Sequence, residues 1–350
     1  MVTESIKTIL FDTHLKQNAR MIEFAGYQLP IWYTSLKDEH VSVRQDAGVF
    51  DISHMGLFII KGNNSLNFLQ ELSCNNVGKS LSGTMIYSMF LNSQGFVLDD
   101  VMHGFYNDQF YLITNGSNQF KLKGWMLKHC PEDVEILHLN KNHCFLAVQG
   151  PKAVTKLSAA SQTDLSDIKR FGIREISLHN QTCTAFRTGY TGEDGFELMI
   201  PNEIASSVWN DIISEGVTPC GLAARDSLRI EKGFPLYGHE LSEIIHPFMT
   251  QHSWVVKFDK DFIGKDALIK QKNLPHLINV GLELDSRQIA RQDYKILEGG
   301  YISSGTISPS LDKSIALAFV PKEYASIGSR VHISIRNKTI QATVVKVPFS

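Results

Sequence analysis

Cysteine is scarce and unpatterned. Cys74, Cys130, Cys144, Cys183 and Cys220 are odd in number and contain no C-x-x-C pair or other ligand-like spacing, so neither a disulfide framework nor a zinc site is indicated. No stretch reaches the roughly 18 consecutive apolar residues that a membrane-crossing helix needs. The opening Met-Val-Thr-Glu-Ser-Ile-Lys lacks an apolar signal core and an Arg-rich amphipathic transit segment. Together these absences lead to the expectation of a cytoplasmic, reducing location.

Long runs of one charge are missing too. With 34 basic and 36 acidic residues the formal net charge is −2, and neither nucleic acid nor membrane is an expected partner. Lys121, Lys123 and Lys128 cluster locally and read first as a solvated helix face, with an acidic partner as the alternative. There is no G-x-x-x-x-G-K-[ST] phosphate loop, no H-E-x-x-H helix, and no G-x-G-x-x-G between strand and helix. His14, His40, His54 and His103 are scattered without ligand spacing and read as structural or exposed, so no metal is expected.

What is present belongs to a folded protein: 43% of residues are hydrophobic and 20% charged. At 350 residues the chain exceeds what one core usually sustains, so two or three domains are expected. Residues 4–24 carry a helix-compatible pattern, stopped by the turn-rich 25–30. Residues 36–47, 64–72, 119–129, 205–214 and 222–231 read as helices. Apolar runs at 85–91 and 96–105, joined by Asn92-Ser93-Gln94-Gly95, read as a hairpin, with further strands at 56–60, 111–114 and 144–148. Beyond about residue 275 the pattern changes to short β runs at 280–284, 316–320, 330–335 and 341–347, which is how a small barrel or sandwich reads.

Three segments offer chemistry. In Phe96-Val97-Leu98-Asp99-Asp100-Val101-Met102 two carboxylates sit in an apolar strand and must point to opposite faces. Asp100 shares its parity with Phe96, Leu98 and Met102, where an unpaired carboxylate would be costly; a solvated strand end is the alternative. In Arg187-Thr188-Gly189-Tyr190-Thr191-Gly192-Glu193-Asp194-Gly195-Phe196-Glu197, three glycines in seven residues permit positive φ or close approach to a ligand, and the acids offer acceptors to an amide-rich heterocycle. An ordinary hairpin loop has the same composition. In the helix after Gly221, Arg225 and Arg229 share a face, four residues apart, suited to carboxylates or a pterin-like edge, or to surface salt bridges.

In this order, and with the blocks at 23–30, 49–55 (Val49-Phe50-Asp51-Ile52-Ser53-His54-Met55), 148–151, 236–240 and 303–311, these segments resemble the aminomethyltransferase (T-protein) family of the glycine cleavage system over essentially the whole chain. The resemblance implies an α+β fold: a three-domain cloverleaf with mixed α/β first and second domains and a β-barrel-like C-terminal domain around a central folate cavity. The domains would be 1–50 plus 145–240, an inserted 51–144 plus 241–275 carrying Asp100, and 276–350. It further implies transfer of the aminomethyl carbon from the lipoyl arm of H-protein to tetrahydrofolate as co-substrate, with the P- and L-proteins as indirect partners.

Carried over by motif position, Asp100 is the catalytic residue, its carboxylate hydrogen-bonding near N10 of the folate. Glu197 reads the pterin edge with Arg225 beside it, Tyr87, Met55 and Asn115 line the cavity, and Tyr190 and Trp254 are neighbours. Three departures stand out: Phe96 replaces a family glycine, Gly104 with His103 before it replaces a common aromatic, and residues 244–252 are worded differently. Two relatives of the same fold are alternatives, an iron–sulfur cluster maintenance protein and a folate-dependent demethylase. The first carries a Cys in the Gly-rich block, whereas this chain has Thr188-Gly189-Tyr190-Thr191-Gly192-Glu193.

Overall fold

Asn18, in the left-handed conformation at φ 60°, follows the short helix Phe11–Lys16 and its cap, and the chain then enters the strand Arg20–Phe24. A single helix is therefore not what forms over 5–24, residue 4 of the expected stretch lying outside the described residues. Ala25 and Gly26, both at positive φ, turn the chain tightly, so Phe24 pairs with Tyr27 and the strand Tyr27–Trp32 runs back antiparallel. Ser35 caps the helix Leu36–Gln45 by accepting from the Asp38 amide at 3.1 Å.

The computed structural model describes residues 5–336 and 338–350. Two units separate by their contacts: the chain through Leu69 with Val77–Tyr87 and Val101–Asp226, and Gln70–Asn76 with Ser88–Asp100 and Ser227–Ser350. The architecture is α+β with mixed sheets.

In the first unit a six-stranded sheet runs in the order Ile173–Leu178, Gln181–Phe186, Gly195–Pro201, His143–Gln149, Gly48–Asp51, Thr218–Pro219. The strand His143–Gln149 is buried from Cys144 onward, which is why 144–148 reads as a continuous apolar run, and Gly195–Pro201 is buried through Ile200 with Glu197 set among its apolar residues. The helices Ala153–Ser161 and Ala205–Ser214 contribute Leu157, Val208, Trp209 and Ile212 to the core of this sheet. A five-stranded sheet follows the order Ile86–Leu91, Val97–Tyr106, Gln109–Thr114, Gly56–Lys61, Glu135–His138. The chain changes unit inside its first two strands, at Tyr87/Ser88 and at Asp100/Val101.

The second unit contains an antiparallel sheet in the order Tyr301–Ser308, Lys313–Val320, Ile278–Leu284, Lys338–Val345, Arg330–Ile335. Its two edge strands do not pair with each other. Instead Lys295 bridges to Tyr301 on one edge while its neighbour Ile296 bridges to Ile333 on the other. The sheet thus curls into a barrel-like form around Leu282, Ile302, Ala318 and Val331, with an irregular segment in place of the closing pair. The strand Tyr301–Ser308 was not read from sequence as a strand, because Ser303, Ser304, Gly305, Thr306 and Ser308 give it no apolar alternation.

Candidate active site

The Gly-rich segment leaves the strand Gln181–Phe186 and returns as Gly195–Pro201, where Phe186 pairs with Glu197. Its two ends are clamped together, since Arg187 donates from Nε and Nη2 to Asp194 Oδ1 and Oδ2 at 3.1 and 2.6 Å. From beneath, Gln149 Nε2 donates to Thr188 O at 3.0 Å, and Thr191 Oγ1 donates to Gln149 Oε1 at 2.9 Å. Arg44 Nη1 donates to Thr191 O at 2.6 Å and to Glu193 Oε1 at 2.8 Å. A Cβ on Gly189 would fall 1.8 Å from Gln149 Oε1, so this close approach requires glycine. The loop is a held frame, not a slack hairpin.

On that frame Glu197 is only 8% exposed and accepts from Thr188 Oγ1 at 2.5 Å. Burial pushes its pKa above the ordinary carboxylate value, against the opposing pull of the Arg225 charge and the Thr188 bond. Arg225 is equally buried, at 8%, and lies over the Tyr190 ring with 4.9 Å to the centroid. Burial lowers its pKa, with Glu197 and Tyr190 acting the other way. Its Nη1 is buried and has no hydrogen-bond partner among the described residues. His54, 3% exposed, is pushed down to a pKa of about 3, first by burial and then by the Arg225 charge, so its imidazole is neutral near pH 7. Buried carboxylate, guanidinium, neutral imidazole and aromatic face together suit a flat, polar, uncharged ligand that offers both N–H donors and a carbonyl acceptor.

Of the expected residues, Met55, Tyr87, Asn115, Tyr190, Glu197 and Arg225 fall in the first unit, and Asp100 and Trp254 in the second. The structure brings Glu197, Arg225 and Tyr190 together. Across the five-stranded sheet, Val101 pairs with Thr114 and Thr114 with Gly56. Asp100, Asn115 and Met55 are the chain neighbours of the three members of that row, and all three are half-buried. Tyr87 is half-buried as well, whereas Trp254 is 57% exposed.

Two details depart from the sequence reading. On the strand Val97–Tyr106 the fully buried acid is Asp99, on the face of Val97, Val101 and His103, while Asp100 and Met102 are half-buried. Parity tells which side chains share a face but not which face is covered. Arg225 and Arg229 also serve different clusters: Arg229, in the second unit, donates to Glu240 Oε2 at 2.8 Å and to Ser304 Oγ at 2.7 Å. His54, which the sequence reads as structural or exposed for want of ligand spacing, stands directly before Met55 and is buried.

Residues 10–260 match the family model described as the GCVT N-terminal domain, and residues 279–350 that of the glycine cleavage T-protein C-terminal barrel domain. The two modules in this order define a T-protein-type transferase. An aminomethyltransferase from a Thermoanaerobacter species is 42% identical, over 98% of this chain and 97% of that protein. One from a Synechocystis species is 38% identical over 99% and 96%. The crystal structure of glycine cleavage system aminomethyltransferase T from Bartonella henselae superposes with a TM-score of 0.92, at 29% identity and 98% coverage of both chains. The chain belongs to the aminomethyltransferase family of the glycine cleavage system.

Proposed function

We propose that this transferase uses tetrahydrofolate as co-substrate and takes the one-carbon unit from the S-aminomethyldihydrolipoyl arm of a lipoylated H-protein. The carbon's bonds to sulfur and to the amino nitrogen break, and bonds to the two folate nitrogens form. The two N–H protons leave with the products, giving 5,10-methylenetetrahydrofolate, ammonia and the dihydrolipoyl arm. The P- and L-proteins are partners only through H-protein, and the setting is cytoplasmic.

One observation carries the folate reading: a buried guanidinium, that of Arg225, lies over the Tyr190 ring within electrostatic reach of the buried Glu197 carboxylate, and its Nη1 has no partner among the described residues. An unsatisfied buried donor costs on the order of 1–3 kcal/mol, which a ligand carbonyl recovers on binding. Glu197 would accept from the amino and ring N–H groups of the pterin edge, Arg225 would donate to its carbonyl, and Tyr190 backs the guanidinium. Met55, Tyr87 and Asn115 would line the remainder, with Trp254 as a neighbour.

Asp100 is the catalytic residue of this reading. Its half-buried position is compatible with a carboxylate that hydrogen-bonds near N10, orients that nitrogen toward the incoming carbon and offsets charge as ammonia departs. The test is ammonia release from aminomethylated H-protein, with and without tetrahydrofolate, for the native chain and Asp100→Asn. Folate-dependent release that collapses in the variant while folate still binds supports the reading; full transfer by Asp100→Asn with folate bound sinks it.

A further inference from the structure

His54 is held more firmly than a spare histidine needs to be. Phe24 meets its ring edge-on at 5.5 Å. Gly116 packs so closely that a Cβ there would lie 2.8 Å from His54 Cδ2 and 2.6 Å from His54 O. Gln119 Nε2 donates to the same His54 carbonyl at 3.0 Å. Gln119 is itself fixed, donating to the Tyr27 hydroxyl at 3.2 Å and sharing a 3.0 Å hydrogen bond between its Oε1 and His138 Nε2.

For all this support, His54 Nδ1 is buried with no hydrogen-bond partner among the described residues, as is Nη1 of Arg225. The two groups are near enough for the arginine charge to act on the imidazole, and neither satisfies the other. Buried polar atoms almost always find a partner, and a group that does not calls for a ligand or another explanation. Two such buried atoms, on side chains close enough for the charge of one to act on the other, can both be satisfied by a single ligand edge bearing two polar atoms.

On the reading that this site receives a reduced folate, we infer that His54 is a further binding residue. The lactam-type edge of the heterocycle that accepts from Arg225 also hydrogen-bonds to His54 Nδ1. Because the imidazole is neutral, it adds a directional contact without adding a second positive charge, and so favours an uncharged edge over an anion.

The experiment is calorimetric titration of the full chain with 5-formyltetrahydrofolate, using the native protein, His54→Leu and His54→Asn, with thermal unfolding of each. Leucine keeps bulk but no polar atom, whereas an asparagine amide can stand where Nδ1 was. Affinity should fall roughly tenfold in His54→Leu and stay within about threefold in His54→Asn, as expected for one buried hydrogen bond. In turnover, KM for tetrahydrofolate should rise in His54→Leu while KM for the aminomethylated carrier holds. Undiminished folate binding by His54→Leu would overturn the inference alone. Equal losses in both variants, matched by equal losses of melting temperature, would make His54 structural and overturn it too. A native chain that binds no folate would overturn the folate reading and His54's role with it. Should His54→Leu fail to fold, the native protein with 15N-labelled histidine decides: the Nδ1 resonance of His54 must move on adding the folate, and an unmoved resonance rejects the contact.

Discussion

The Arg225 guanidinium lies over the ring of Tyr190, 4.9 Å from its centroid. The arginine is fixed by the helix Leu222–Lys232, and the tyrosine by a loop tied at both ends through Arg187 and Asp194. Tyr190 therefore reads as a wall that keeps the buried cation from wandering, and Glu197 as the charge that makes its burial tolerable. On the folate reading, recognition in this unit would rest on these preorganised polar groups.

Removing the face of that wall should weaken the ligand without unfolding the chain. Tyr190→Leu is expected to lower folate affinity roughly three- to tenfold, the range of a partly desolvated cation–π contact, while Tyr190→Phe keeps most of it. Calorimetric titration of the two variants separates the contributions. Equal losses would place the effect in the hydroxyl and not in the ring.

The loop's own support is testable at Gly189. Alanine there puts a Cβ 1.8 Å from Gln149 Oε1, so Gln149 must withdraw from Thr188 O and Thr191 Oγ1. Two buried hydrogen bonds lost together should cost about 2–3 kcal/mol, read as a lower urea midpoint at unchanged slope. Folate affinity should drop as well, because Tyr190 rides on the loosened segment.

Much of this arrangement was legible from residues alone. The helices 119–129 and 205–214 read with their observed ends, since apolar spacing and flanking turns agree there. The 4–24 stretch failed because helix and strand patterns coincide over short apolar runs, and only Asn18 and the Ala25-Gly26 turn decide between them. The serine-rich strand Tyr301–Ser308 exists through pairing with Lys313–Val320, which no local pattern announces. At the candidate site, Glu197 and Arg225, both buried in the structure, are named through motif order. His54 is not, because a histidine without ligand spacing carries no signal until its neighbours are seen.

Gly104 shows a family departure acquiring a physical reason. An added Cβ would lie 2.5 Å from both Ile173 Cδ1 and Met85 Sδ, so those side chains occupy the space an aromatic residue would need. Gly104→Tyr should therefore overpack this region and destabilise the chain by about 1–3 kcal/mol in denaturant unfolding. Adding Met85→Ala to it should recover part of the loss, through non-additivity between touching residues.

Acid should destabilise this protein before most of its carboxylates titrate. His54, His246 and His252 are held by burial at pKa values of about 3, 4 and 4, against 6.5 for the free side chain. Between those limits the unfolded chain binds more protons than the folded one, so stability rises with pH and is lost as pH falls from about 6.5 toward 4. The depressed carboxylates Asp51 and Asp194 act in the same direction but only below the ordinary aspartate value of 3.8. Burial-raised Glu39 and Glu197 act oppositely, gaining protons on folding, so the total slope mixes signs. A difference measurement isolates one histidine. His246 is 4% exposed and rings with Phe96, Phe248 and His276, so phenylalanine can take its place among aromatic neighbours. His246→Phe should match the native chain near pH 7.5 to within about 1.5 kcal/mol, the usual tolerance for a shape-conserving swap. It should then gain on it as pH falls, by up to about 1.4 kcal/mol per pH unit between 6 and 4.5. Urea unfolding at stepped pH checks this, and parallel curves for the two proteins would show that His246 takes up its proton as readily folded as unfolded.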